Sequence, residues 1–244
     1  IINRINMSEL EVSVPSDLGA IRLGDYMKYM DIIRNNPDAN DEFLEVKMLE
    51  IFCGLSYKDV ISVPFGSFNE IINHLNNLFS TKPKLKRRFS LEGTDGAVVE
   101  FGFVPNLDNI SYGEYTDLNL FLDDIKNLNK AMAVLFRPIH PSYNNKESYR
   151  IASYKGTKEY SEILLDMPLD IAIGARVFFW SLGKELSRIT LTSLQNQKEL
   201  RTTLSEEERN ILTKSIRDIV LCMSLQEATF SNWIKPQVQT STKH

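Results

Sequence analysis

The sequence predicts an α+β fold that is mostly α, and three observations carry that prediction. Apolar residues recur at helical spacing through residues 23–79 and again from Pro168 to Trp233. Between those regions, Gly93-Thr-Asp-Gly96 is a hairpin turn signal, flanked by Phe89-Ser-Leu-Glu92 and Ala97-Val-Val-Glu-Phe-Gly-Phe-Val104. No apolar run approaches the roughly 20 residues that a membrane helix needs. The expected organisation is an N-terminal arm and helical bundle over 1–80, a central antiparallel β-hairpin plus helices over 81–166, a long antiparallel helical hairpin over 167–235, and a mobile tail over 236–244. These segments can equally form one continuous domain.

In chain order, Ile1–Met7 has no long apolar run of the kind a secretory signal needs. Residues 8–22, with Pro15 and Gly19, read as an extended arm with a short strand at Glu11–Val14. Leu23–Arg34 is a helix with Tyr26, Met30 and Ile33 on one stripe, stopped by Asn35-Asn-Pro37. Asp41–Cys53 is the next, with Phe43, Val46, Leu49, Ile51 and Phe52 as its apolar side and Gly54 as its stop. Tyr57–Ile61 adds a turn. Ser67 with Glu70 three residues on makes a capping-box pattern for a helix through Phe79, with Ile71, Ile72, Leu75 and Leu78 inward.

After the hairpin, helices are expected near Glu114–Lys126 and Asn127–Phe136, with Gly113 setting the turn before them. Pro138 and Pro141 bracket a loop, Tyr149–Tyr154 is a short strand, and Thr157–Leu165 is a further helix. Pro168 sits at a favoured first-turn position for a helix to about Lys198. Ser205-Glu-Glu-Glu caps a second long helix to about Trp233, with acids at its positive end.

Lys plus Arg total 28 against 32 for Asp plus Glu, a net charge of −4. That balance gives no global attraction to nucleic acid or to an anionic membrane. A local exception is Lys82, Lys84, Lys86, Arg87 and Arg88, five cations in seven residues followed by Phe89. They suit either phosphate contacts or a solvated edge-strand approach, where lysines discourage edge pairing.

Glu114, Asp117, Asp123 and Asp124 form an acidic face on one expected helix, read as a solvated helix start rather than as a general acid–base pair or Mg²⁺ ligands. Arg137-Pro-Ile-His140 ends an apolar helix and offers either an anion-binding corner or a favourable helix-end charge. Cys53 and Cys222 read as buried thiols, and His74, His140 and His244 lack partners at metal-ligand spacing. No G-x-S-x-G, H-E-x-x-H or phosphate loop occurs, so the expectation is a protein without cofactor or catalytic residues. Ile171–Gly183 sets Gly174, Ala175 and Gly183 beside Phe178, Phe179 and Trp180, which suits a buried central helix or one that also meets a partner chain.

The stretch Phe103-Val-Pro-Asn-Leu-Asp-Asn-Ile-Ser-Tyr-Gly-Glu-Tyr-Thr-Asp-Leu118, with Ala131-Met-Ala-Val-Leu-Phe-Arg-Pro-Ile139, Tyr149–Gly156 and Met167-Pro-Leu-Asp170, resembles proteins of tailed bacteriophages, including crAss-like and other large phages. The helix-rich pattern is similar to tail-assembly chaperones. The resemblance spans about residues 20–195, and its motifs are structural, so it transfers no active-site residues. It implies a non-enzymatic morphogenesis protein that binds other phage structural proteins, tail or head–tail subunits, in the host cytoplasm during assembly. A structural component of the virion, in the head–tail connector, tail or internal cargo, is the alternative it leaves open. Homo-oligomers are compatible with it. The contact candidates are Tyr112, Tyr115, Phe178, Phe179, Trp180 and Trp233. Nucleic-acid binding through Lys82–Arg88 and a metal-dependent hydrolase using the Glu114–Asp124 acids are the competing classes.

Overall fold

The structure, a computed structural model, describes residues 2–7, 10–93, 96–144 and 148–196. Two strands open it. β1 (Ile2–Met7) pairs antiparallel with β2 (Leu10–Pro15), so the short strand expected at Glu11–Val14 is half of a hairpin. Val12 and Val14, two residues apart, share one face of β2 and are buried.

Helix α1 (Leu23–Asn35) runs as expected, but its centre is Leu23, Tyr26 and Tyr29, with Met30 and Ile33 only half-buried at its margin. The Tyr29 hydroxyl donates to the Leu44 carbonyl at 3.2 Å, tying α1 to α2 (Asp41–Phe52). In α2 the buried set is Leu44, Met48, Leu49 and Phe52. Phe43, expected inside, is exposed, with the Lys47 ammonium 5.7 Å from its ring centre. Gly54 takes φ +69° just past the helix, a conformation glycine adopts without strain. α3 (Tyr57–Val60) is closed by a Ser56–Asp59 capping box. α4 (Phe65–Phe79) starts two residues before the expected cap, so Ser67 lies inside its first turn and Pro64 occupies the cap position.

The central hairpin is present as β3 (Arg88–Glu92) and β4 (Val98–Phe103), and it is half of a larger unit. A four-stranded antiparallel sheet continues through β5 (Phe136–Asn144) and β6 (Tyr149–Ile151), in the order β3-β4-β5-β6. The loop expected around Pro138 and Pro141 is therefore strand β5. Proline is tolerated there because the ladder towards β6 is irregular. The Pro138 carbonyl accepts from the Ala152 amide at 2.9 Å, and Pro141 falls within the register shift between Ile139 and Asn144.

Two helices precede β5. α5 (Tyr112–Phe121) is shorter than expected and gives way to a 3₁₀ turn at Ile125–Asn127, while α6 (Leu128–Leu135) is buried almost all round. The single helix expected at Thr157–Leu165 is instead two 3₁₀ turns, Thr157–Glu159 and Ile163–Asp166. α7 (Leu169–Asn196) closes the described chain. The second helix of the expected hairpin, Ser205–Trp233, lies outside the described residues, as do Cys222, Trp233, His244 and the tail.

One hydrophobic cluster extends from Val12 to Ala175 and takes in α1, α2, α4, the sheet, α6 and the start of α7. Its aromatic centre is Phe103 and Phe136, both fully buried, with ring centres 5.3 Å apart in an edge-on arrangement. Among the described residues no helix is long and apolar enough to cross a membrane.

Candidate functional site

A buried charged cluster is built where α5 starts. Ser111 caps the helix by accepting from the Glu114 amide at 3.2 Å, and Glu114 Oε2 accepts from the Ser111 amide at 2.7 Å. That reciprocal box turns the Glu114 carboxylate inward. Its other oxygen, Oε1, accepts from Arg137 Nη2 at 2.6 Å, from strand β5. Both residues are buried, Glu114 at 6% exposure and Arg137 at 5%. The Arg137 guanidinium also sits 5.5 Å from the Tyr154 ring centre, and the Tyr154 hydroxyl donates to the Asp117 carboxylate one turn further along α5. Two carboxylates, one guanidinium and one phenol thus form a single cluster.

The electrostatics follow from these contacts. Burial by itself pushes the Glu114 carboxyl up, but the two Ser111 bonds and the Arg137 charge outweigh it and hold the group below its usual value. Burial and then the Asp117 bond push the Tyr154 phenol up. Glu114 is therefore a carboxylate and Tyr154 a neutral donor near neutral pH. Removing the cap hydroxyl tests the local part of this design. Ser111→Ala is expected to cost about 1 kcal/mol in urea unfolding, because Glu114 keeps its bond to the Ser111 amide and only one orphan donor is lost.

A cavity of about 230 Å³ opens beside the cluster. Glu114 and Arg137 line it together with Val104, Pro105, Ile110 and Ile151, and Asn106 and Asn109 stand at its polar side.

The acidic face expected on one helix is divided among separate roles. Glu114 is buried in its ion pair and Asp117 is bound by Tyr154. Asp124 lies beyond α5, where it caps the 3₁₀ turn and pairs with Arg34 at 3.8 Å, and Asp123 is exposed. Arg137 and His140, expected at a helix end and in a loop, both lie on β5. His74 hydrogen-bonds through Nε2 to the Pro15 carbonyl at 2.8 Å. Cys53 is buried, and among the described residues no three His, Cys, Asp or Glu side chains are grouped to hold a metal ion.

The contact candidates fall on two helices with different surroundings. On α5, Tyr112 is 84% exposed, Tyr115 54% and Leu120 63%, with Tyr115 three residues and Leu120 two turns beyond Tyr112, while Glu114 and Leu118 of the same helix are buried. On α7, Phe178 and Phe179 are half-buried and pack on Phe103, with ring centres 5.9 and 6.3 Å away. Trp180 is half-buried with the Lys82 and Lys184 ammonium groups at 5.5 and 5.1 Å from its ring centre. The structure thus turns the tyrosines outward and draws the two phenylalanines towards the core.

The basic run is a strap laid across α7. At Gly174 an added Cβ would stand 2.6 Å from the Lys84 carbonyl oxygen, so the missing side chain admits the strap's backbone against the helix. Four of its five cations have intramolecular contacts. Lys82 faces Trp180, Lys86 pairs with Asp170 at 2.5 Å, and Arg87 lies 5.5 Å from the Phe103 ring centre. Arg88 pairs with Glu100 at 3.6 Å and stacks 4.5 Å from the Tyr149 ring centre. Lys84 is exposed.

No protein-family model matches this chain, and no curated protein or solved structure matches it.

Proposed function

We propose that this chain works by binding another protein through the outward face of α5, as a non-enzymatic assembly factor of the tail-assembly-chaperone kind. The observation that carries this is the exposure of three large side chains, Tyr112, Tyr115 and Leu120, along one short helix. Aromatic side chains of this type supply large contact area with few rotatable bonds, and they are enriched at the anchoring points of interfaces. The helix beneath them is held by the buried Glu114–Arg137 pair and by Leu118, so the face is presented on a fixed support. The sequence resemblance to tailed-phage proteins supplies the biological class of partner, a tail or head–tail subunit. Nucleic acid is the weaker reading, because four cations of the Lys82–Arg88 strap already have partners within the chain.

A photo-reactive phenylalanine analogue at position 112, in cells producing phage particles, is expected to cross-link to one tail or head–tail subunit. The yield should fall about tenfold in a Tyr115→Ser, Leu120→Ser background, as expected for loss of two anchoring side chains. The same analogue at Phe65, exposed on α4, is the control and should not capture that subunit. Equal capture at both positions, or none at 112, would defeat the proposal. Stoichiometric recovery of the chain in purified particles would favour a structural part of the virion over a chaperone.

A further inference from the structure

The exposed tyrosines of α5 stand in a stretch of one sign of charge. From Pro105 to Ile125 the chain carries Asp108, Glu114, Asp117, Asp123 and Asp124, and no Lys, Arg or His. The fold brings a cation to two of these acids: buried Arg137 pairs with Glu114 at 2.6 Å, and Arg34 reaches Asp124 at 3.8 Å. Asp117 receives the neutral hydroxyl of Tyr154. Asp108 and Asp123 are exposed, and among the described residues neither forms an ion pair with a Lys or Arg side chain. Asp123 acts only through space, on buried Arg176. Asp108 lies four residues before Tyr112 and Asp123 three after Leu120, so unpaired acids flank the exposed side chains at both ends.

Tyr112 and Tyr115, three residues apart, are neighbours on the helix surface, and both are exposed. The face of a tyrosine ring attracts a cation, and a planar guanidinium can stack on it. The molecule already uses this contact around α5: Arg137 lies 5.5 Å from the Tyr154 ring centre and Lys130 5.3 Å from that of Phe121. The local pull towards an anion is the positive end of the helix dipole, and the Ser111 and Glu114 amides there are already taken by the capping box. We propose that the α5 face receives a basic segment of the partner protein, with an arginine stacked on the Tyr112–Tyr115 pair and its charge complemented by Asp108 and Asp123. This rests on the reading of α5 as the protein-binding face, and it names the chemistry of what binds there. An acidic segment is repelled by the same acids, and a neutral one gains nothing from them.

The probes are acetyl-Leu-Arg-Leu-Arg-Leu-amide and the same peptide with citrulline for arginine, which keeps the side-chain shape and removes the charge. In ¹⁵N-resolved NMR of the full chain, the arginine peptide is expected to shift the backbone amides of Tyr112 to Leu120. Those around Phe65, exposed on α4, should stay in place. The citrulline peptide should bind about five- to tenfold more weakly, the range for an exposed cation–π contact reinforced by nearby acids. Asp108→Asn with Asp123→Asn should weaken the arginine peptide about threefold or more and leave the citrulline peptide unchanged. Raising salt from about 50 to about 500 mM should do the same. Tyr112→Leu, which keeps apolar bulk without a ring, should remove most of the arginine preference.

Equal binding of the two peptides, an arginine preference undiminished in these variants, or shifts centred on Phe65 would each overturn the proposal. Cross-linking from position 112 separates its failure from that of the α5 reading. If that position captures a tail or head–tail subunit equally at low and high salt and in Asp108→Asn, Asp123→Asn, α5 remains the binding face and the segment it binds is not basic. If the arginine preference holds and no subunit is captured, the basic-segment chemistry stands and the assembly partner does not.

Discussion

Glu114→Gln is expected to lower the unfolding free energy by about 3–5 kcal/mol, the range for leaving one member of a buried ion pair uncompensated. The glutamine keeps the shape of the side chain and can still take part in the cap, so the loss reports the charge that Arg137 then retains alone. Both partners are nearly inaccessible and 2.6 Å apart, so solvent screening does little to soften the change. The double variant Glu114→Gln, Arg137→Met should recover much of the loss, because it removes both buried charges, and the cycle gives the coupling directly.

The same pair sets an acid dependence whose sign follows from the direction of the shift. Glu114 has a folded-state pKa below its unfolded value of about 4.3. Its stabilising contribution is therefore complete above that unfolded value and is lost as pH falls through the lower folded one. Urea midpoints of the parent and Glu114→Gln should differ most at neutral pH and converge in acid below about pH 4. A gap that persists undiminished to pH 3 would mean that the carboxylate is not what the substitution removes.

This pair was the part of the site least legible in the sequence. Glu114 and Arg137 lie 23 residues apart on a helix and a strand, and no local pattern links them. The helix half was within reach: Ser111-Tyr-Gly-Glu114 is a capping-box pattern directly before α5. The same pattern at Ser67–Glu70 is not a box, because α4 has already begun at Phe65 after Pro64, whose ring fixes φ in the helical range. The motif alone does not say which of its occurrences starts a helix. Strand β5 was hidden by its two prolines, which read as loop until the irregular pairing with β6 explains them. By contrast, α6 was legible, since the helix expected at Asn127–Phe136 is observed at Leu128–Leu135. α7 was placed well too, since Pro168 and a long apolar repeat both mark it. Phe43 misled because its apolar ring suggests the core, whereas Leu44, Met48 and Phe52 form the four-residue repeat that faces inward.

The glycine contacts give the second large effect, one in which helix propensity and packing oppose each other. Alanine is favoured over glycine in a helix interior by about 1 kcal/mol, so propensity alone makes Gly174→Ala stabilising. At this position, however, the added Cβ would meet the Lys84 carbonyl oxygen at 2.6 Å and its carbon at 3.1 Å. Both are main-chain atoms, so no rotamer change relieves the clash, and either α7 or the Lys82–Arg88 strap must shift. Overpacking of this kind costs about 1–3 kcal/mol or more, and lifting the strap also strains the Lys86–Asp170 pair and the seating of β3. The expected outcome is a net loss of about 1–3 kcal/mol in urea unfolding, with faster tryptic cleavage after Lys84 to Arg88. Gly66→Ala, in α4 with no atom within 4 Å of its added Cβ, is the matched control and should be neutral or gain up to about 1 kcal/mol. Opposite signs at the two glycines isolate the close approach of the strap as the cause. A Gly174→Ala chain as stable as Gly66→Ala, with an unchanged tryptic pattern, would show that the basic run is free of α7 and available to another ligand.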